Sequence, residues 1–124
     1  MIRFSAEGRP IQQGSMKTFN GHIVHTKGKE LLAWRALVVK SALAAGCVPL
    51  PNPVEITMNF RVLRPKTVIR EYPTVAPDLD KYVRNVGDAL TKIAFIDDSQ
   101  IVKIVATKCY SDSPGVDIEI EHLF

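Results

Sequence analysis

The sequence predicts an α+β fold in which one mixed β-sheet and two helices form a single small domain. Apolar and polar residues alternate over positions 54–62, which is typical of a strand with one buried face. Two stretches with helical patterning, residues 28–46 and about 80–92, lie on either side of that strand in the chain. The chain has 124 residues, enough for one modest core, so we expect a single domain over residues 1–124.

The first half of the chain supplies strands and one long helix. Residues 1–19 are typical of a strand, a loop rich in glycine and proline, and more extended chain. Residues 28–46 have the leucine and alanine content and the final glycine of a helix. Its apolar residues form two faces: Leu31, Trp34, Val38 and Ala42 on one, and Leu32, Val39 and Leu43 on the other. We expect such a helix to pack against both its own sheet and a partner subunit.

The second half predicts a long loop, a helix and two final strands. Residues 63–76 are polar and contain two prolines, and long loops in compact domains are often functional. After the second helix, residues 101–110 and 116–121 are typical of strands joined by a tight turn. The predicted order is therefore two or three strands, a helix, a strand, a helix and two strands.

Composition excludes several classes of protein. The net charge is +3, with 46% hydrophobic and 23% charged residues, as in ordinary globular domains. No apolar run has the length of a membrane span, and the first residues lack a signal-peptide core. Cys47 and Cys109 form no recognisable motif. We therefore expect a cytoplasmic protein with reduced thiols and no membrane partner.

The charges are distributed unevenly along the chain. Residues 1–70 contain eleven lysines and arginines against three acids, whereas the remainder contains five against ten. This suits a protein that holds phosphates with one part and metal ions with another. The alternative is a solvated surface on which the two signs intermingle after folding.

An acidic stretch over residues 77–98 is the main functional signal. Its acids lie at the two ends and in the middle of an apolar repeat with helical spacing: Asp78, Asp80, Asp88, Asp97 and Asp98. Pro77 marks the start of this helix. Inside a helix Asp78 and Asp80 would point about 200° apart, so they can share a ligand only if Asp78 lies in extended chain. The later acids can join them only if the fold places those acids beside the helix start. On these conditions the acids form a candidate Mg²⁺ site.

A purely structural role is the alternative for these acids. An aspartate at a helix N-cap or in a first turn satisfies free backbone N–H groups without any catalytic function. The sequence DDS after an apolar pair is also an ordinary turn signal. Spacing alone leaves both interpretations open.

The acidic stretch resembles a known family over residues 78–102. It combines D-L-D, an arginine four residues after the second acid, D-A-L-T-K, and F-I-D-D-S-Q-I-V in one order. This order resembles that of the RusA family of Holliday junction resolvases. The resemblance implies a RusA-like fold and an Mg²⁺-dependent endodeoxyribonuclease, with Mn²⁺ as a substitute metal and no organic cofactor. It also implies a role in DNA recombination and repair, and a phage or prophage origin.

The resemblance also implies particular residue roles. The implied metal ligands are Asp78, Asp80, Asp97 and Asp98. Three of these acids and one cation are the implied catalytic residues: Asp78, Asp80, Asp98 and Arg84. Arg84 stands where the family commonly has a functional lysine, which keeps the charge but changes the geometry of a phosphate contact. Pro77 stands where some members have an arginine, so that contact is missing.

Basic residues outside the acids are candidate contacts to the DNA backbone. The segment GRPIQQGSMK resembles a loop of RusA proteins in which a cation follows a glycine and a proline. Three further cations lie on the predicted loop just before the acids. The candidate DNA-binding residues are Arg9, Lys17, Arg64, Lys66, Arg70, Lys81 and Arg84.

The implied substrate predicts an oligomeric state. Resolving a four-way junction takes two cuts in strands of like polarity, and a two-fold dimer presents two sites, so we predict a homodimer. Branched DNA would be recognised by shape and by salt-dependent backbone contacts. The alternative function is a non-catalytic branched-DNA-binding protein of the same fold.

Overall fold

A computed structural model of the chain describes residues 1–12 and 28–124, and between them the backbone of two short strands. In chain order the strands and helices are β1 (Ile2–Glu7), β2 (Met16–Phe19), β3 (His22–His25), α1 (Gly28–Ala44), β4 (Val54–Val62), α2 (Leu79–Leu90), β5 (Ile101–Tyr110) and β6 (Gly115–His122). A single 3₁₀ turn, Asp98–Gln100, precedes β5. This order confirms the predicted α+β fold, including the third early strand.

The main sheet is mixed and has four strands in the order β1-β6-β4-β5. The central strand β4 pairs antiparallel with β6 and parallel with β5. Strands β2 and β3 form a separate antiparallel hairpin. Because β4 and β5 are parallel, the chain must cross from the end of one to the start of the other, and α2 lies in that crossover.

The core lies on one face of this sheet, as the alternation along β4 predicts. Four alternate residues of β4 are buried there, together with three residues of β6: Val54, Ile56, Met58, Phe60, Val116, Ile118 and Ile120. The opposite face carries a polar network centred on Asp117. Its carboxylate accepts hydrogen bonds from Ser5 Oγ at 2.7 Å and from Arg61 Nε at 3.2 Å.

Helix α1 contacts α2 and β1 through the face predicted to be buried. Leu31, Trp34, Val38 and Ala42 all lie in the core. On the other face Leu32 is 65% exposed and Leu43 56% exposed. The helix ends at Ala44, just before Gly46, whose φ of +92° favours glycine. Val39, the third residue of the predicted second face, is half-buried against the core, so the uncovered part of that face is Leu32 and Leu43.

Helix α2 begins at Leu79 and ends at Leu90, two residues before the predicted end. It stops there because Thr91 is extended and Lys92 has a φ of +69°, which turns the chain. Asn85 of α2 is fully buried and binds across elements. Its side-chain amide donates to the Ile11 carbonyl at 2.8 Å, and its Oδ1 accepts from Arg35 Nε at 2.5 Å. Asn85 therefore fixes α2 against α1.

The segment after α2 returns to the start of β4. Phe95 forms bridges with Leu50 and Thr91, and the Gln100 side chain donates to the carbonyls of Leu50 and Asn52, each at 2.8 Å. Along the chain, α2, whose 12 residues are about 18 Å long, lies between the two acidic ends of the 77–98 stretch.

Two sequence expectations concern the surroundings of the chain. In the described part, neither helix is both long and apolar enough to cross a bilayer. Cys47 and Cys109 are both free thiols. Burial raises the pKa of the Cys47 thiol.

Candidate active site

An open groove of about 540 Å³ lies along α2 and the first part of β5. We call it the acidic groove. Asp80 and Arg84, one helical turn apart on α2, line it, and Asp98 lines it from the 3₁₀ turn. The remaining lining residues are Val83, Gly87, Asp88, Ile101, Val102, Lys103 and Ile104. Three of the four predicted catalytic residues thus share one groove.

Asp78 lies just outside this groove, at the N-cap of α2. Its φ of −69° and ψ of 142° are those of extended chain, which confirms the condition set by the sequence. Within the described part of the chain its side chain makes no capping hydrogen bond. The carboxylate is 62% exposed and lies 3.9 Å from Lys81 Nζ. Helix capping therefore does not account for Asp78, and Lys81 is an ion-pair partner of this acid.

Asp97 and Asp98 are neighbours with different surroundings. Ser99 Oγ donates a hydrogen bond to Asp97 Oδ2, and the backbone N–H of Asp97 donates to Gln100 Oε1 at 2.8 Å. The hydrogen bond from Ser99 is the main cause that lowers the pKa of Asp97. Asp97 therefore holds its own turn together, as the structural interpretation predicts, whereas Asp98 faces the groove.

The structure does not gather the acids into one ligand set. In residues 1–12 and 28–124 no three acidic, histidine or cysteine side chains lie close enough together to hold a metal ion. The segment after α2 runs to the start of β4, where Phe95 bridges Leu50 and Gln100 donates to the Leu50 carbonyl. Asp80 and Asp98 nevertheless line the same groove.

The donors that face the groove suit Mg²⁺ in type and number. This ion takes hard oxygen ligands, keeps several waters, and is commonly bound by one or two carboxylates together with substrate phosphates. Asp80 and Asp98 each offer a carboxylate to the groove, and the open groove leaves space for waters and a phosphate. Asp88, also in the groove, is held by Arg35 Nη2 at 3.2 Å.

Two of the seven predicted DNA contacts, Arg9 and Arg70, line a second depression, of about 390 Å³, which we call the basic pocket. It is lined by Arg9, Arg70, Lys108, Tyr82, Tyr110 and Pro77, with further prolines and aliphatic residues. The guanidinium groups of Arg64 and Arg70 lie 4.8 and 5.9 Å from the centre of the Tyr110 ring. Lys66 is exposed on the same loop. The side chain of Lys17 lies outside the described residues.

Sequence reasoning missed three residues of β5. Lys103 lines the acidic groove, and Lys108 and Tyr110 line the basic pocket. Lys108 Nζ donates to the carbonyls of Val75 at 2.9 Å and Pro77 at 3.0 Å, and so ties the loop before Asp78 to the sheet. The position of Lys103, shortly after the acids in the sequence, could have indicated that it lies in the same site. The contact of Lys108 with the loop depends on the crossover, so no local sequence pattern indicates it.

Comparison with known proteins identifies the family. The model of the RusA endodeoxyribonuclease family matches residues 7–121. The chain belongs to the RusA family. One relative is YqaN of Bacillus subtilis (strain 168), described as uncharacterized, which is 30% identical over 139 residues covering 98% of this chain and 96% of YqaN. Another is the crossover junction endodeoxyribonuclease rusA of Lactococcus phage r1t, 33% identical over 76 residues covering 60% of this chain and 58% of that protein.

The RusA match contains both depressions. Residues 7–121 include Asp80, Arg84 and Asp98 of the acidic groove, and also Arg9, the first residue that lines the basic pocket. The part of the chain that matches the family therefore includes the predicted acids.

Proposed function

We propose that this RusA-family protein is an Mg²⁺-dependent endodeoxyribonuclease that resolves four-way DNA junctions by paired, symmetric nicks. The observation that carries the proposal is the common groove of Asp80, Arg84 and Asp98 in a chain of this family. Carboxylates beside cations are the groups that metal-assisted phosphodiester hydrolysis needs.

The acids of the groove would hold the metal. Bound Mg²⁺ supplies charge for the scissile phosphate and lowers the pKa of a bound water. Asp80 and Asp98 face the groove directly, and Asp78 adds an exposed carboxylate next to the first turn of α2. Asp97 is the weakest of the predicted ligands, because its carboxylate already accepts the Ser99 hydrogen bond.

The cations of the groove would position the DNA strand. Arg84 lies one helical turn from Asp80, so its guanidinium is available for a phosphate near the carboxylates. Lys103 adds a second charge from β5. Together they offset the repulsion between the groove acids and a phosphate.

A homodimer would provide the paired cuts. A two-fold dimer repeats the groove with the symmetry of a four-way junction. An exposed apolar surface supports a second copy as partner. It is the face of α1 with Leu32, which is 65% exposed, and Leu43, which is 56% exposed.

The test compares a labelled four-way junction with a linear duplex of matched sequence, each with Mg²⁺, Mn²⁺ or EDTA. We expect paired nicks in the junction alone, dependent on divalent metal and lost in Asp80→Asn. Asp112→Asn, in the exposed turn between β5 and β6, is the matched control and should cut like the wild type.

Two other results would change the conclusion. Tight junction binding without cleavage under any divalent metal would favour a non-catalytic branched-DNA-binding protein. Equal cleavage of junction and duplex would leave a nuclease but contradict selectivity for branched DNA.

A further inference from the structure

We propose that the basic pocket binds one unstacked nucleobase of the branched DNA, beside the strand that enters the acidic groove. The inference rests on the proposed function in taking branched DNA as the ligand. Its observations are separate from those of the groove.

The walls of the basic pocket suit a flat aromatic ring. Tyr82 is stacked on Phe60, with ring centres 5.2 Å apart, and Tyr110 lies under the guanidinium groups of Arg64 and Arg70. The rest of the wall comes largely from prolines and aliphatic side chains. Extruded bases are generally bound between such apolar and aromatic groups. The volume of about 390 Å³ falls in the range of about 300–1,000 Å³ that small-ligand sites occupy.

The charges of the pocket select a nucleotide over an uncharged apolar ligand. Arg9, Arg70 and Lys108 all line it, and no acidic side chain appears among the described residues of its wall. A base carries its own phosphate into such a site, and that phosphate meets the cations.

The location links the pocket to the groove. Pro77 lines the pocket and directly precedes Asp78, and Tyr82 of α2 lies between Asp80 and Arg84 in the sequence. Strand β5 also lines both depressions, through Lys108 and through Lys103. A DNA strand in the groove would therefore lie near the pocket. A base at the break in the helical stack of a junction has fewer stacking contacts to lose than a base inside a duplex, so the pocket would favour branched DNA over duplex.

The test combines base removal with pocket filling. Four-way junctions that each lack one base, at successive positions around the crossover, are titrated with the protein in EDTA so that binding is measured without cleavage. Val75→Trp fills the pocket from its 51% exposed rim, and Leu63→Trp does so from a second, 61% exposed position. Ile69→Trp is the control, because Ile69 is 95% exposed on the same loop and does not line the pocket.

We expect base removal at one position to weaken wild-type binding by about tenfold, the scale of stacking on a single base. The two filled variants should bind the intact junction about tenfold more weakly and lose nothing further on base removal. Ile69→Trp should behave like the wild type. If base removal weakens binding equally in the wild type and both filled variants, the inference is wrong. It is also wrong if base removal at no position weakens binding by the wild type.

Cleavage in Mg²⁺ separates this inference from the proposed function. If the junction is cleaved but base removal has the same effect in the wild type and the filled variants, the base-binding inference is wrong and the nuclease proposal is supported. If base removal and pocket filling are coupled but no cleavage occurs, the inference is supported and the nuclease proposal is wrong. Failure of the wild type to bind any junction would overturn both.

Discussion

The acidic groove and the basic pocket are built from the same two elements and have opposite chemistry. Helix α2 and strand β5 line both. The groove is open and takes its acids and Arg84 from one flank of α2, whereas the pocket takes Tyr82 from another. Residues four apart on a helix share a face and residues two apart do not, so alternate positions serve different surfaces.

The difference indicates a division of labour along one DNA strand. The groove has carboxylates that suit a metal but few cations, and the pocket has cations and aromatic rings. Changes in the groove should therefore affect the rate of cleavage, and changes in the pocket should affect binding. The following predictions separate the two regions.

The largest loss of cleavage activity is expected from substitution of Asp98, and the neighbouring Asp97 provides the comparison. Asp98→Asn should lower junction cleavage by more than about 100-fold, because even groups that only support a metal's ligands contribute about 10- to 100-fold. Asp97→Asn should cost far less, because its carboxylate serves Ser99. Single-turnover cleavage rates of the two variants decide this. Equal losses would mean that Asp97 is also a ligand.

Arg84 and Arg70 compare one cation from each region. Arg84→Ala should lower the cleavage rate of saturated junction complexes by about 100-fold, as expected for the loss of one group that stabilises charge in the transition state. Arg70→Ala should weaken binding and reduce the slope of log K against log salt by about one, as for a lost phosphate contact. Cleavage rates at saturating protein measure the effect of Arg84→Ala, and binding titrations across a salt series measure the effect of Arg70→Ala. If Arg70→Ala lowers only the cleavage rate and leaves binding unchanged, the pocket and the groove do not have separate roles.

Asn85 should affect both regions at once, because it fixes the helix that they share. Asn85→Ala leaves the buried Ile11 carbonyl and Arg35 without this partner, which should lower the free energy of unfolding by about 1–3 kcal/mol. Denaturant titration measures the loss. Lys40→Ala, on the exposed side of α1, is the control and should stay within about 0.5 kcal/mol of the wild type.

Mg²⁺ should stabilise the folded protein through the acids of the acidic groove. Free Mg²⁺ at ten times its dissociation constant should add about 1.4 kcal/mol to the stability of the wild type. EDTA should remove this gain, and a variant with both Asp80→Asn and Asp98→Asn should lack it. Melting curves with and without Mg²⁺ test the expectation. The same metal-induced shift in the double variant would place the metal elsewhere.

The smallest effect concerns Asp117, which lies in neither region. Burial raises its pKa, but hydrogen bonds from Ser5 and Asn59 and the charge of Arg61 more than offset this and lower the pKa below its ordinary value. A carboxyl with a lowered pKa in the folded protein stabilises it above the unfolded pKa, and the gain disappears as the pH falls through the folded value. The melting temperature of wild type should therefore exceed that of Asp117→Asn near pH 7 and approach it below about pH 4. A difference that is independent of pH would contradict this.

The sequence by itself determined the elements and the chemistry that they carry. The alternation along β4 and the apolar face of α1 are local patterns, and a buried face imposes them whatever the topology. Asp78 was also predictable as extended chain, because Pro77 precedes it. The order of acids and Arg84 was sufficient to indicate the RusA family, which the match over residues 7–121 confirms.

Only the tertiary structure decided how these residues are grouped. The parallel pairing of β4 with β5 places α2 in the crossover, so that α2 and the start of β5 line one groove. It also brings Lys108 to the Pro77 carbonyl and closes the basic pocket. Whether Asp97 or Asp98 faces the groove follows from one hydrogen-bonded turn. Such choices depend on contacts between residues far apart in the chain, which a local sequence pattern does not encode.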